Sequence, residues 1–179
     1  MLTGSYSPAL VLISLFVAIL ASYTALDMTG RIATAKGRAA QLWMIGGALA
    51  MGIGVWSMHF IGMLAFRLPI TLGYDVGITA LSLLIAILSS GFALWLVNQP
   101  RLPAWQLGFG ALVMGAGISA MHYTGMAAMR MMPGIDYDPT LFGASLLIAV
   151  GASAAALWIA FSLRRNTPYV RLARGGAAV

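Results

Sequence analysis

Long apolar segments dominate the pattern of hydrophobic and polar positions along the chain, and charged residues, proline or glycine bound each of them. Each segment has about 20 residues, the length with which an α-helix crosses a hydrocarbon core of about 30 Å. None shows the alternation of barrel strands, and in lipid only helices and closed barrels satisfy every backbone group. We therefore predict an all-α integral membrane fold, a five-span helical bundle. Its spans are expected at Pro8–Leu26, Leu42–Phe66, Val76–Val97, Trp105–Met129 and Thr140–Leu163.

The composition supports a membrane location and excludes several chemistries. Hydrophobic residues make up 61% of the chain and charged residues 8%, against about 25% charged residues in a typical soluble domain. The absence of cysteine excludes disulfides and thiolate metal sites. The net charge of +6 comes from basic residues that flank the spans, so it indicates contact with anionic membrane lipid and no nucleic-acid partner.

The loops on the two sides of the predicted bundle differ in charge, and this difference predicts an orientation. Eight of the ten basic residues fall on one side, whereas three of the four acidic residues fall on the other. By the positive-inside rule, the N-terminus lies outside and the C-terminus lies in the cytoplasm. The basic residues of the predicted cytoplasmic side are Arg31, Lys36, Arg38, Arg101, Arg164, Arg165, Arg171 and Arg174.

A hexapeptide motif, Met58–Met63, returns as Met121–Met126 after 63 residues, and the two copies contain the only histidines of the chain. Matching residues continue into the following span, so the repeating unit is a hairpin of one plain span and one motif-bearing span. Repeats of this kind usually place a ligand site at their interface. A third motif helix is expected next, so we expect the sequence to be a fragment truncated before it. We predict a single domain over 1–179, with repeat one at 8–75, repeat two at 76–138 and a partial third repeat at 139–179.

The spacing inside the motif favours metal binding. Each histidine is followed four residues later by a methionine, and residues four apart share one face of a helix. The methionine that precedes each histidine is rotated by about 100° around the helix axis from that histidine. A polar imidazole deep in an apolar span is costly without a partner or a function, and imidazole with thioether suits copper, above all Cu(I). The candidate metal ligands are His59, His122, Met63, Met126, Met58 and Met121.

Other interpretations of the two motifs stay open. Membrane histidines often form hydrogen bonds between helices, and methionine is a common filler of apolar cores. His59 and His122 are chemically adequate axial ligands for one haem between the second and fourth spans. A stripe of Met44, Met51 and Met58 suggests a copper transporter, although the spans lack the acidic residues that many transporters use. The chain has no Glu and its few Asp lie in loops, so the sequence indicates no enzyme active site.

Charged residues follow both motifs at equivalent positions. Arg67 and Asp75 follow the first copy, and Arg130 and Asp138 follow the second. One interpretation is a solvated ion pair at the membrane interface, worth under about 1 kcal/mol. The other is that these carboxylates shape the mouth of a site formed by the two motifs.

The sequence Met-His-Tyr-Thr at residues 121–124 is the tetrapeptide after which the MHYT domain is named, and residues 54–66 and 121–129 resemble two repeats of that family. The resemblance covers nearly the whole chain. It implies a multi-pass sensor module of the bacterial inner membrane, which often precedes cytoplasmic GGDEF and EAL domains that make and break cyclic di-GMP. Members typically carry three motifs and six or seven spans.

The resemblance also implies a cofactor, a stimulus and partners. Family members are proposed to bind copper through the Met and His of the motif and to sense a diatomic gas (O2, NO or CO) or a redox state. Carried over to this chain, the ligands are the six Met and His residues named above. Phe60 stands where the second copy has Tyr123, so a phenolic ligand is not common to both copies. The expected partners are membrane lipid, an output domain in the same protein and, as an option, a second copy in a homodimer.

Overall fold

Five helices account for most of the residues that the computed structural model describes, which are 5–67, 73–130 and 137–166. All five are long and apolar enough to cross a membrane, so the predicted all-α, five-span fold is confirmed and the chain is a multi-pass membrane protein. Each helix packs chiefly against its neighbours in the chain. The helices are α1 (Pro8–Thr34), α2 (Arg38–Ala65), α3 (Val76–Val97), α4 (Ala104–Ala127) and α5 (Pro139–Asn166). Residues 167–179 of the predicted third repeat, with Arg171 and Arg174, lie outside the described residues.

The first helix is longer than predicted. Its apolar part ends at Leu26, but α1 continues to Thr34. Because Asp27 and Arg31 are charged, the sequence pattern predicts a loop there. In the structure they lie four residues apart on the helix and form an ion pair with an N–O distance of 2.7 Å. Such pairs support a helix, so the charged segment stays helical. The turn to α2 is therefore short, and Gly37, with φ of 57°, adopts the left-handed conformation that this turn requires.

Short strand pairs that the sequence did not reveal join the helix ends on one side of the bundle. The strands have two residues each, too few for an alternating pattern: β1 (Ser5–Tyr6), β2 (Phe66–Arg67), β3 (Gly73–Tyr74) and β4 (Met129–Arg130). β1 pairs with β2 and β3 pairs with β4, both antiparallel. Beside each pair, a backbone N–H at the start of a plain helix donates to a carbonyl at the end of a motif helix. These bonds, from Ser7 to Ala65 and from Asp75 to Ala128, are both 2.8 Å long.

Glycines on the motif helices allow close backbone contacts with the next plain helices, and the repeat places them at equivalent points. A Cβ on Gly52 of α2 would lie 2.5 Å from the Cα of Ile87 on α3. A Cβ on Gly115 of α4 would lie 2.7 Å from the Cα of Val150 on α5. Both pairs are related by the offset of 63 residues. The missing side chains thus let each motif helix approach the next plain helix closely, as small residues do in membrane bundles.

Substituting these glycines is expected to destabilise the bundle. In Gly52→Ala or Gly115→Ala the new methyl group meets the backbone of the facing helix, so we expect a loss of about 1–3 kcal/mol in the free energy of unfolding, the usual range for overpacking. Thermal unfolding in detergent measures the change. Gly46→Ala and Gly108→Ala are matched controls on the same two helices, because a Cβ there meets nothing within 4 Å. Since alanine favours helix over glycine by up to about 1 kcal/mol, these controls should be neutral or stabilised. Equal losses in both sets would contradict the proposed close contacts.

Candidate functional site

The two motif histidines meet between α2 and α4. Nδ1 of His122 lies 2.8 Å from Nε2 of His59, a hydrogen-bond distance. The ring centroids are 4.8 Å apart and the ring planes are inclined by 77°. Both residues lie about two helical turns before the ends of their helices, close to the side of the bundle with the strand pairs. The structure therefore brings together the two residues that the repeat singled out.

The hydrogen bond between the rings leaves a defined set of donors and acceptors. A neutral imidazole has one N–H donor and one acceptor nitrogen, and the bond uses one donor and one acceptor. Whichever ring donates, one N–H and one lone pair remain on the outer nitrogens, Nδ1 of His59 and Nε2 of His122. The pair can thus offer one outer lone pair to an ion while it is still bonded internally. If the donor ring takes its other tautomer, with its proton on the outer nitrogen, both facing nitrogens offer a lone pair.

One of the predicted methionine ligands reaches across to the other motif helix. Sδ of Met63 lies 3.9 Å from the position that a Cβ would take on Gly125 of α4. The sulfur of the first motif therefore lies against α4, beside the glycine of the second motif. Met121 is only 3% exposed and belongs to the core. Met58 and Met126 are partly buried, and no contact in the described part of the chain assigns their sulfurs to the imidazoles.

In the second copy, an aromatic residue connects the histidine pair to α5. The ring of Tyr123 packs edge-on against His122, with centroids 4.9 Å apart and planes at 67°. Its hydroxyl lies 2.6 Å from Oγ of Ser145 on α5. Phe142, also on α5, packs against the same ring at 4.7 Å. Neither contact was predicted. The alignment of Ser82 with Ser145 in the repeat was the one sequence signal that could have pointed to the serine.

In the first copy, the equivalent serine has a different partner. Phe60 has no hydroxyl, and Nε1 of Trp56 instead donates to Oγ of Ser82 on α3 over 2.9 Å. Trp56 lies one turn before Phe60, and the two rings stack at 4.9 Å with an angle of 16°. Ser82 is fully buried. The two repeats thus place a serine at the same point but bond it to aromatic residues at different positions.

Charged residues close the end of the bundle above the histidines. Asp75 caps α3, where its carboxylate accepts from the backbone N–H of Ile78 at 3.1 Å, and it pairs with Arg130 at the end of β4. The N–H of Ile78, and then the guanidinium of Arg130, lower the pKa of Asp75. Asp138 caps α5 and accepts from two backbone N–H groups, which lower its pKa. The arginine is 74% exposed, so the contact with Asp75 is the solvated interfacial pair rather than a buried one. The side chain of Arg67 lies outside the described part.

The titratable residues alone do not form a metal site. Within residues 5–67, 73–130 and 137–166, no three His, Asp or Glu side chains gather closely enough to hold an ion. An ion at the histidine pair would therefore need methionine sulfur, backbone oxygen or an external ligand to complete its coordination. Of the predicted methionines, the structure places Met63 best for this, because its sulfur lies between the two motif helices.

Comparison with protein families supports the repeat that the structure displays. A family model described as "MHYT: Bacterial signalling protein N terminal repeat" matches residues 52–110 and, again, residues 115–173. The two matches begin 63 residues apart, which is the separation of the two histidines. Together they cover more than half of the chain. No solved structure matches the chain.

Curated bacterial proteins are similar over most of this chain. The bifunctional diguanylate cyclase/cyclic di-GMP phosphodiesterase MucR of Pseudomonas aeruginosa is 66% identical over 179 residues, which are 100% of this chain and 26% of that protein. The cyclic di-GMP phosphodiesterase NbdA of the same species is 47% identical over 167 residues, 93% of this chain and 20% of that protein. The signaling protein YkoW of Bacillus subtilis is 36% identical over 160 residues, 89% of this chain and 20% of that protein. The chain thus spans about a quarter or less of the length of these relatives.

Acid is expected to weaken the closed end of the bundle through Asp75. Its pKa is lowered from the usual 3.8 in the folded state, so its carboxylate stabilises the fold above that value. This contribution disappears as the pH falls through the folded-state pKa. Below about pH 4, the midpoint of thermal unfolding should therefore fall more steeply in the wild type than in Asp75→Asn. Asp138→Asn is the matched comparison, since backbone N–H groups at a helix cap lower the pKa of that carboxylate too. It should flatten the wild-type slope less than Asp75→Asn does, because Arg130 further lowers the pKa of Asp75. A wild-type slope equal to that of Asp75→Asn would contradict the assigned role.

Proposed function

The chain belongs to the MHYT family of bacterial signalling proteins, and from this premise we propose that its paired His/Met motifs bind copper and report a diatomic gas or a redox state. An MHYT region of this kind occurs in cyclic di-GMP signalling proteins, and a sensory input role in the membrane follows from that. The metal, the stimulus and the identity of the output domain are the proposed parts. The same match agrees with the prediction that the chain is not itself the enzyme, because the family is described as an N-terminal repeat.

The observation that supports the proposal is the direct contact between His59 and His122 inside an apolar bundle. Burying two polar rings is costly, and a hydrogen bond between them recovers only part of the lost hydration. Among the described residues they come from equivalent positions of two repeats, which is where ligand sites form in repeated membrane folds. When the donor ring takes its other tautomer, its proton lies on the outer nitrogen, and the two facing lone pairs offer a place for a cation.

The geometry fits a small ion. Two nitrogens on one tetrahedral metal with bonds of about 2.0 Å lie about 3.3 Å apart, compared with 2.8 Å between His59 and His122. Separating the rings by about half an ångström would therefore admit the ion, a shift that small changes of side-chain torsion can supply. Met63 lies one turn after His59 on the same face of α2 and adds a sulfur donor. Imidazole with thioether is a donor set that favours copper over zinc, calcium or magnesium. The ligands we propose are His59, His122 and Met63, with Met58, Met121 and Met126 as further candidates.

Copper held there would supply a redox-active centre able to bind a diatomic gas. The residues of the chain fix the surroundings of that centre, because the apolar helices exclude water from it. The pair lies below the closed end with Asp75 and Arg130, which we propose as the side that faces outward, as the distribution of basic residues predicts. A change at the pair would shift α4 relative to α2 and reach a cytoplasmic GGDEF/EAL domain in the same protein.

The contact favours copper over haem as the cofactor. Axial ligands of a haem lie on opposite faces of the macrocycle, with nitrogens about 4 Å apart, or twice a metal–nitrogen bond of about 2 Å. In the structure the two imidazole rings are in direct contact, and the His122 ring also packs against Tyr123. Haem would require α2 and α4 to separate enough for the whole macrocycle.

Copper loading tests the proposal. Protein purified in detergent, stripped with a chelator and titrated with Cu(I) against a chromogenic competitor is expected to hold about one copper per chain. His59→Ala and His122→Ala should each lose at least tenfold in affinity, the scale on which even supporting residues act, and Met63→Leu should lose less. Met44→Leu is the matched control. Met44 lies on the same helix but about four turns away, in a groove between the inner ends of α1 and α2, and should bind copper normally.

Two results would contradict the copper proposal. One is a copper content well below one per chain after loading, or binding that is unchanged in the double variant His59→Ala and His122→Ala. The other is a Soret band in protein produced with ample haem, lost in the same variant, which would establish the cytochrome-like alternative instead.

A further inference from the structure

The two repeats differ in one contact that bears on how the histidine pair communicates with the rest of the molecule. Tyr123 touches His122 with its ring and Ser145 of α5 with its hydroxyl. Phe60, its counterpart, has no hydroxyl, and Ser82 on α3 bonds to Trp56 instead. The offset of 63 residues relates Ser82 to Ser145, so the same serine is used in two ways. Among the described residues, such a direct connection from a motif histidine to the next plain helix is seen in the second copy.

We propose that Tyr123 is a positioning residue that couples the orientation of the His122 ring to the position of α5. This inference rests on the proposed sensory function, and it names the route by which that site would report. Ser145 also donates to the carbonyl of Phe142 at 2.7 Å, so its hydroxyl is fixed to the backbone of α5. Tyr123 is therefore held by the helix itself rather than by a freely rotating side chain.

Packing makes the coupling stiff. The Tyr123 ring packs against His122 and, with centroid distances of 5.5 Å and 4.7 Å, against the aromatic rings of Tyr137 and Phe142. Both of these rings belong to α5 or to the residues just before it. A movement of His122 therefore displaces a ring that contacts Phe142 and Ser145 of α5 and Tyr137 just before it, and by thermodynamic linkage a movement of α5 acts back on His122.

The first copy lacks this route. Phe60 stacks on Trp56 of its own helix and contacts Tyr74, and the bond to α3 starts from Trp56, one turn away from His59. The hydrogen bond there holds α2 and α3 together without touching the imidazole. The two copies thus supply one histidine each to the pair, and among the described residues the proposed route to a plain helix runs through the second copy.

The test uses the fact that the chain has only two histidines. Metal-free protein labelled with ¹⁵N in the histidine rings and placed in lipid bilayers gives a solid-state NMR spectrum with four ring nitrogens, two per residue. In Ser145→Ala and in Tyr123→Phe, which copies the residue of the first repeat, the His122 ring signals should move by more than a linewidth. The double variant should add nothing further, because both changes break the same bond. Ser145→Thr keeps a hydroxyl and should restore the wild-type spectrum.

Ser82→Ala is the matched control, since it removes the equivalent hydroxyl in the first copy and should leave the signals of both rings in place. The inference is overturned if Ser145→Ala and Tyr123→Phe leave the His122 signals unchanged, or if Ser82→Ala moves them as much. Because the measurement uses metal-free protein, its result is independent of copper binding. Failure of the coupling and failure of the copper proposal are therefore distinguishable.

Discussion

The hydrogen bond between His59 and His122 is the interaction on which the site of this protein depends. In a bilayer, an apolar helix face can contact lipid almost as favourably as another apolar helix, so hydrophobicity alone does not determine which helices meet. A polar ring on each motif helix changes that balance, because either ring left alone in hydrocarbon lacks a partner. The arrangement of α2 and α4, which are not neighbours in the chain, is thus tied to two side chains that the repeat supplies in equivalent positions.

The strand pairs and the glycine contacts hold the frame in which this bond forms. The strand pairs β1–β2 and β3–β4 join the starts of α1 and α3 to the ends of α2 and α4, and the ion pair of Asp75 with Arg130 strengthens the second connection. Gly52 and Gly115 set the distance to the following helices. The histidines lie just below the fastened end, where the helix ends are constrained. In the proposed sensory role, a small separation of the rings would therefore be transmitted along the helices.

The sequence was sufficient to predict the spans and the residues that meet. Length and hydropathy located α3 to the residue, and the repeated motif identified His59 and His122 as partners because both would be costly in lipid alone. The prediction of a loop at the charged end of α1 is wrong. Charge marks the end of an apolar span, but Asp27 and Arg31 pair along the helix, which continues beyond that span. The ligand role of the methionines stays a prediction.

Contacts that depend on tertiary placement could not be predicted from pattern. Two-residue strands carry no periodicity, and their pairing depends on where the helix ends lie. The partner of a serine depends on which aromatic side chain reaches it, and the exchange of Tyr123 for Phe60 passes that role to Trp56 in the first copy. A repeat thus predicts equivalent backbones more reliably than equivalent contacts, because a single atom, the phenolic oxygen, redirects the hydrogen bond.

The most direct test of the account is whether the two imidazoles bond to each other in the membrane. A ¹⁵N–¹⁵N correlation spectrum of ring-labelled, metal-free wild-type protein in bilayers should show a cross peak through the hydrogen bond between Nδ1 of His122 and Nε2 of His59. Two assigned histidines with no correlation between these nitrogens, each with the spectrum of an isolated ring, would contradict it.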